Sequence, residues 1–170
     1  MTKTGHGHDN VMGHRVISGL VFAAVCEKPP SIPLATRVRG AKRLGHKYER
    51  DFAKALKVRY PNACLAGQWF RFIDRNGQGF CQTDLLLKRP GEIIIFECKL
   101  TDTEKGRSQI SRLYAPVVSH VFGLPVRGVV VARHLTRESE LALITDQLPI
   151  ALSSSLPIVP TLHWRERNPL

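Results

Sequence analysis

The chain has 170 residues, a formal net charge of +11 at pH 7 and a pI of about 10.0. That length suits one domain with a real hydrophobic core. The basic excess points to a polyanionic partner whose binding weakens as salt rises, although ribosomal or membrane-surface binding fits the charge equally well. Cys26, Cys64, Cys81 and Cys98 are isolated, with no Cys-x-x-Cys and no histidine at zinc spacing, which argues against a structural zinc. A Gly-rich phosphate loop, internal repeats and heptads are also missing from the sequence.

His6-Gly7-His8-Asp9 reads as part of a tail. Val16 to Cys26 is apolar apart from Ser18 and follows Arg15. It is too short to span a membrane, and Val25 is not the small residue of a lipoprotein cleavage site, so the segment is expected to pack on the domain or on a partner. Pro29-Pro30-Ser31-Ile32-Pro33 marks a linker. Arg37-Val38-Arg39-Gly40-Ala41-Lys42-Arg43 is the densest basic run, either a mobile arm tracking phosphate or a solvated linker. Residues 1–43 are therefore expected to form a flexible basic N-terminal arm, and residues 44–170 the folded domain.

Leu44 to Tyr60 reads as a helix stopped by Pro61-Asn62. Tyr48, Phe52, Ala55 and Leu56 form its inward stripe. Glu49 shares a flank with Phe52, Ala53 and Leu56 and borders that stripe, while Asp51 points away. Lys47, Arg50, Lys54, Lys57 and Arg59 crowd the rest. Two readings stay open: a solvated helix with i,i+4 pairs, or a helix that aims Glu49 at a metal and lays its basic face on a DNA backbone.

Trp69 to Asp74 reads as a strand and Arg75 to Gly79 as a turn. Two apolar runs follow, Phe80 to Leu87 and Ile93 to Leu100, separated by the Pro90-Gly91 turn. The first carries Asp84; the second carries Glu97-Cys98-Lys99. Side chains alternate along a strand, so Glu97 and Lys99 share a face, opposite Phe96, Cys98 and Leu100. Pairing the runs as a hairpin would bring Asp84 near Glu97. A bare Glu-x-Lys is common and is usually an ion pair at a strand end. Charge inside β-rich sequence, however, must be paired or bound to metal. Two adjacent carboxylates bind a proton more tightly or recruit a cation. Hard oxygen ligands without a full cage suit Mg²⁺, with Mn²⁺ not distinguished from it. Such a site hydrolyses phosphodiesters with metal-activated water, Lys99 orienting the water or holding the phosphate.

A helix is expected from about Glu104, kinked or ended by Pro116 and closed at Gly123. Val126 to Arg133 is a β-branched, buried strand, so helix and strand make a βαβ-like unit. Thr136 to Ile144 reads as a capped helix, and the remainder as mostly irregular, with Trp164 packing on the core. Together these elements predict an α/β fold with a mixed sheet.

The order helical Glu49, Asp84, Glu97-Cys98-Lys99 and a helix carrying Gln109 resembles the PD-(D/E)xK nuclease superfamily, over about residues 44 to 134. It is nearest to the small resolvase-like and phage-type endonucleases. Thr83 stands where the motif has proline. The resemblance implies a restriction-endonuclease-like core, a central mixed β-sheet flanked by helices. It implies Asp84, Glu97 and the Cys98 backbone carbonyl as Mg²⁺ ligands, Glu49 as a metal-water or second-metal ligand, and Lys99 as the catalytic lysine. Gln109 resembles the glutamine of RecB-like nucleases, where the tyrosine follows at a shorter spacing than Tyr114 does here. Arg39, Lys42, Arg43, Lys47, Arg50 and Lys54 are the expected DNA contacts. The function implied is a Mg²⁺-dependent DNA endonuclease in the cytoplasm of a bacterial or phage-infected cell, acting on branched DNA or Holliday junctions in recombination or repair. Cutting two strands of a junction would call for a homodimer. A RecB-like single-strand exonuclease and a non-catalytic nucleic-acid-binding protein on the same fold are the alternatives.

Overall fold

The computed structural model describes residues 15–32, 39–101, 103–134, 142–144, 159 and 161–164. In chain order the elements are β1 (Phe22–Cys26), α1 (Gly40–Arg59), β2 (Cys64–Ala66), β3 (Trp69–Asp74), β4 (Gly77–Gln82), β5 (Leu85–Arg89) and β6 (Glu92–Lys99). Then come α2 (Thr103–Gln109), a π turn (Ile110–Tyr114), α3 (Ala115–Phe122), β7 (Val126–Ala132), β8 (Ala142–Ile144) and β9 (Thr161–His163). The strands form two sheets. One is a three-stranded antiparallel sheet ordered β1-β3-β4; the other has six strands ordered β2-β5-β6-β7-β9-β8. The larger sheet is antiparallel from β2 to β6 and parallel from β6 onward, so the chain is a mixed α/β protein.

β6 lies inside the large sheet and is covered on both sides, which is why its first residues read as an unbroken apolar run rather than an alternation. On one side, Tyr48, Phe52 and Leu56 of α1 pack against Leu85, Leu87, Ile94, Phe96, Val129 and Val131. On the other, Ile110, Leu113, Tyr114, Val117 and Val118 pack against Leu86, Ile93, Ile95 and Val130, and the small sheet joins them through Phe70, Phe72 and Cys81. Gly128 permits this second contact, because a methyl group there would collide with Ile110.

The second helical segment kinks where Pro116 predicts, and the kink takes the form of a π turn. Pro116 has no N–H to continue an α ladder, and the Ala115 N–H reaches back five residues to the Ile110 carbonyl. Gly123 ends α3 in the left-handed conformation at φ 63°, its N–H donating to the Ser119 carbonyl at 2.9 Å.

Several elements differ from the sequence reading. α1 begins at Gly40 rather than Leu44, so the boundary drawn at residue 43 falls inside a helix. The segment expected to pack on the domain does so as β1, which pairs antiparallel with β3 from Phe22↔Ile73 to Cys26↔Trp69. Arg15 anchors it. Its guanidinium pairs with Asp74, donates to the Gly77 carbonyl at 2.7 Å and the Gln78 carbonyl at 3.2 Å, and lies 5.1 Å from the Phe72 ring centre. The run from Phe80 to Leu87 is not one strand: β4 ends at Gln82 in the small sheet, β5 starts at Leu85 in the large one, and Thr83 and Asp84 form the crossover. Ala142 to Ile144 is strand where a helix was expected, because it adds to the parallel edge beside β9; residues 136–141 lie outside the described residues. Thr161 to His163, expected to be irregular, is β9. Trp164 packs on the core as expected, 5.4 Å from Phe52 and 5.5 Å from Tyr48 between ring centres. The tail at residues 1–14 and residues 33–38, which include Arg37, lie outside the described residues. Among the described residues no helix is long and apolar enough to cross a membrane.

Candidate active site

The crossover between the sheets fixes Asp84. Thr83 N–H donates to the Gln68 carbonyl at 3.0 Å, and the Asp84 carbonyl accepts from Gly67 N–H at 2.9 Å, so both residues are tied to the β2–β3 connection. The β5–β6 hairpin turns at Pro90-Gly91 and pairs Leu85 with Phe96. One step further in that register brings Asp84 to the end of β6, where its Oδ2 accepts from the Cys98 backbone N–H at 2.7 Å.

Glu97 and Lys99 lie on the β6 face that carries Ile93 and Ile95, while Cys98 and Leu100 belong to the opposite, α1-facing cluster. Glu97 is only 2% exposed. Its Oε1 accepts from Lys99 Nζ at 2.5 Å, and its buried Oε2 has no hydrogen-bond partner. Glu49 reaches the same region from α1. The burial of Tyr48 and Phe52 beside it fixes that flank of the helix against the sheet. Its carboxylate is half-buried, with His46 Nδ1 at 3.7 Å from Oε2.

Burial pushes the Glu97 carboxyl up to about 8; the nearby Asp84 charge adds to this and Lys99 opposes it. Burial, then Asp84, pushes Glu49 up to about 7, again against Lys99. Burial also raises Asp84, with the Cys98 N–H and Lys99 opposing. For Lys99, burial favours the neutral amine, but the Glu97 and Asp84 charges outweigh it and hold the ammonium. Three carboxyls thus share one cation, and full ionisation is unfavourable without a second positive charge.

Gln109 and Tyr114 meet on the neighbouring helical layer, where Gln109 Nε2 donates to Tyr114 Oη at 3.2 Å. The π turn explains the contact, since i→i+5 bonding sets residues five apart on one side of the helix. Tyr114 feels the Glu97 and Asp84 charges, which, after burial, hold its hydroxyl protonated. Gln109 Oε1 is buried without a partner.

The expected DNA contacts are spread along one helix. Arg39 precedes α1, and Lys42, Arg43, Arg50 and Lys54 are exposed on it. Lys47 Nζ pairs with Asp51 at 2.7 Å. Sequence reasoning had not singled out His46; the available signal was its helical spacing, three residues before Glu49.

Among the described residues, no group of three or more His, Cys, Asp and Glu side chains converges into a ready-made metal cage. Mg²⁺ does not require one: it keeps several waters and takes one or two carboxylates plus substrate phosphate. Asp84 and Glu97 fit that demand, the unpartnered buried Oε2 of Glu97 most directly. No protein-family model, no curated protein and no solved structure matches this chain.

Proposed function

We propose that this protein is a Mg²⁺-dependent deoxyribonuclease on a restriction-endonuclease-like core, acting in the cytoplasm. The large mixed sheet with α1 on one side and the α2–α3 layer on the other supports that reading of the fold. The observation that carries the activity is Glu97: a buried carboxylate with one oxygen on Lys99, the other unpartnered, and Asp84 beside it.

Asp84, Glu97 and the Cys98 carbonyl would hold the ion, with Glu49 toward its waters or a second ion. When bound, Mg²⁺ supplies Lewis acidity and charge neutralisation at a phosphodiester. The chain's own groups do the rest. The Cys98 N–H holds the Asp84 carboxylate in place, and Glu97 Oε1 holds the Lys99 ammonium. Lys99 orients the attacking water and stabilises negative charge growing on the phosphate oxygens. Water adds to phosphorus and the P–O bond to the leaving strand breaks; one proton of the water ends on the leaving oxygen and the other is released. Glu49, with its carboxyl near 7, is suited to take up that proton.

One observation favours a second reading. The Lys99–Glu97 contact is a closed ion pair, which a non-catalytic nucleic-acid-binding protein on the same fold would also keep. Cleavage of labelled four-way-junction, linear duplex and single-stranded DNA, in Mg²⁺ or EDTA, separates the two. A nuclease cuts only with metal, and Lys99→Ala slows it by about 10²–10³ while binding survives. A pure binder cuts nothing in either form.

A further inference from the structure

Between α1 and the edge strand β2 lies an open groove of about 480 Å³. Arg50, Lys54 and Lys57 rim it, and Ala53, Val58 and Ala66 supply apolar lining. At an α-helical rise, the three cations stand about 6 Å and then about 4.5 Å apart along one side of α1. Among the described residues none of them has a carboxylate partner, whereas Lys47 on the same helix closes onto Asp51. Val58 is 79% exposed, so the groove joins unneutralised charge to uncovered hydrocarbon. Both walls adjoin, along the chain, residues that hold or carry the carboxylates. Arg50 follows Glu49 on α1, and Ala66 precedes Gly67, whose N–H bonds to the Asp84 carbonyl.

We propose that this groove holds the backbone of a single-stranded nucleic acid and leads it to Asp84 and Glu97. The cut rests on the nuclease reading; the binding does not. The row of cations matches a chain of phosphates. One observation favours a single strand over a duplex. A duplex could touch only the cationic rim and would leave Ala53, Val58 and Ala66 uncovered, whereas an unpaired strand can lay sugars and base faces on them. The preferred substrate then carries an unpaired segment beside the cut, and fully paired junctions are poor substrates.

The test is binding of a fluorescent oligothymidylate in EDTA across a salt series. Wild type is compared with Arg50→Ala/Lys54→Ala/Lys57→Ala, with the charge reversal Lys54→Glu, and with Arg112→Ala on the opposite helical layer. Each single-strand phosphate contact contributes about 0.7 to the slope of log affinity on log salt. The triple variant should lose about 2 units of slope and about 100-fold in affinity at 0.1 M salt, with an unchanged melting temperature. Lys54→Glu should weaken binding too, and Arg112→Ala should not. Unchanged slope and affinity in the triple variant overturn the proposal. So does an equal loss in Arg112→Ala, or a duplex that binds more tightly than the oligothymidylate and depends on the same three residues. Cleavage in Mg²⁺ keeps the two readings apart. Groove-dependent binding without cutting retains the groove and removes the nuclease. Lys99-dependent cutting with normal binding by the triple variant does the reverse.

Discussion

Asp74 and Glu97 are both buried carboxylates paired with a base, and they differ in whether the pairing is complete. Asp74 is held by Arg15, by the Ser18 N–H at 3.2 Å and by the Asn76 N–H at 2.9 Å. Burial pushes its carboxyl up, but these partners outweigh burial and hold it below the ordinary 3.8. Glu97 has Lys99 on one oxygen and nothing on the other, and its carboxyl rises to about 8. Burial and the Asp84 charge, which one lysine does not offset, keep Glu97 protonated, whereas the partners of Asp74 outweigh its burial and keep it charged. The small sheet uses its acid to clamp the N-terminal segment; the large sheet leaves one oxygen of its acid without a hydrogen-bond partner.

The comparison breaks most visibly at Asp74. Replacing it by Ala leaves Arg15 buried and uncompensated, a loss of about 3–5 kcal/mol that urea unfolding should record. Lys99→Ala comes next, lowering kcat by about 10²–10³, or about 2.7–4 kcal/mol of transition-state stabilisation, with folding stability far less affected than in the Asp74 variant. Glu97→Gln should abolish cutting and cost less stability than Asp74→Ala, because Asp84 remains beside the Lys99 ammonium. A loss as large as that of Asp74→Ala would mean that the Lys99 pair is structural.

The dependence on pH differs in sign between the two acids. The folded chain holds a Glu97 proton that the unfolded chain releases near 4.5, so this contribution is complete below about 4.5 and is lost as pH rises toward 8. Asp74 contributes fully above 3.8 and is lost as pH falls through its depressed value. Melting temperatures should therefore show a decline from about pH 4.5 to 8 that Glu97→Gln flattens and a decline below pH 3.8 that Asp74→Asn flattens. Mg²⁺ should raise the melting temperature more at pH 8 than at pH 5, since it binds the ionised carboxylates.

The β5–β6 hairpin was legible because Pro90-Gly91 marks the turn and Glu97 and Lys99 alternate with Phe96 and Cys98. The stripe of Tyr48, Phe52 and Leu56 was legible from helical spacing. β1 was not read as a strand: Phe22–Cys26 has no polar alternation, and its partner β3 lies far along the chain. β8 and β9 likewise owe their existence to distant parallel neighbours. The break at Thr83-Asp84 was hidden because β4 and β5 are both apolar, and only their membership of different sheets separates them. No local pattern marks Asp74 as the partner of Arg15, which stands fifty-nine residues away.

The most direct measurement is the rate of single-turnover DNA cleavage against Mg²⁺ concentration, for wild type and Asp84→Asn. The account predicts a rate that saturates with Mg²⁺, vanishes in EDTA and is absent in Asp84→Asn. Cleavage that persists in EDTA, or in the folded variant at the wild-type rate, would contradict it.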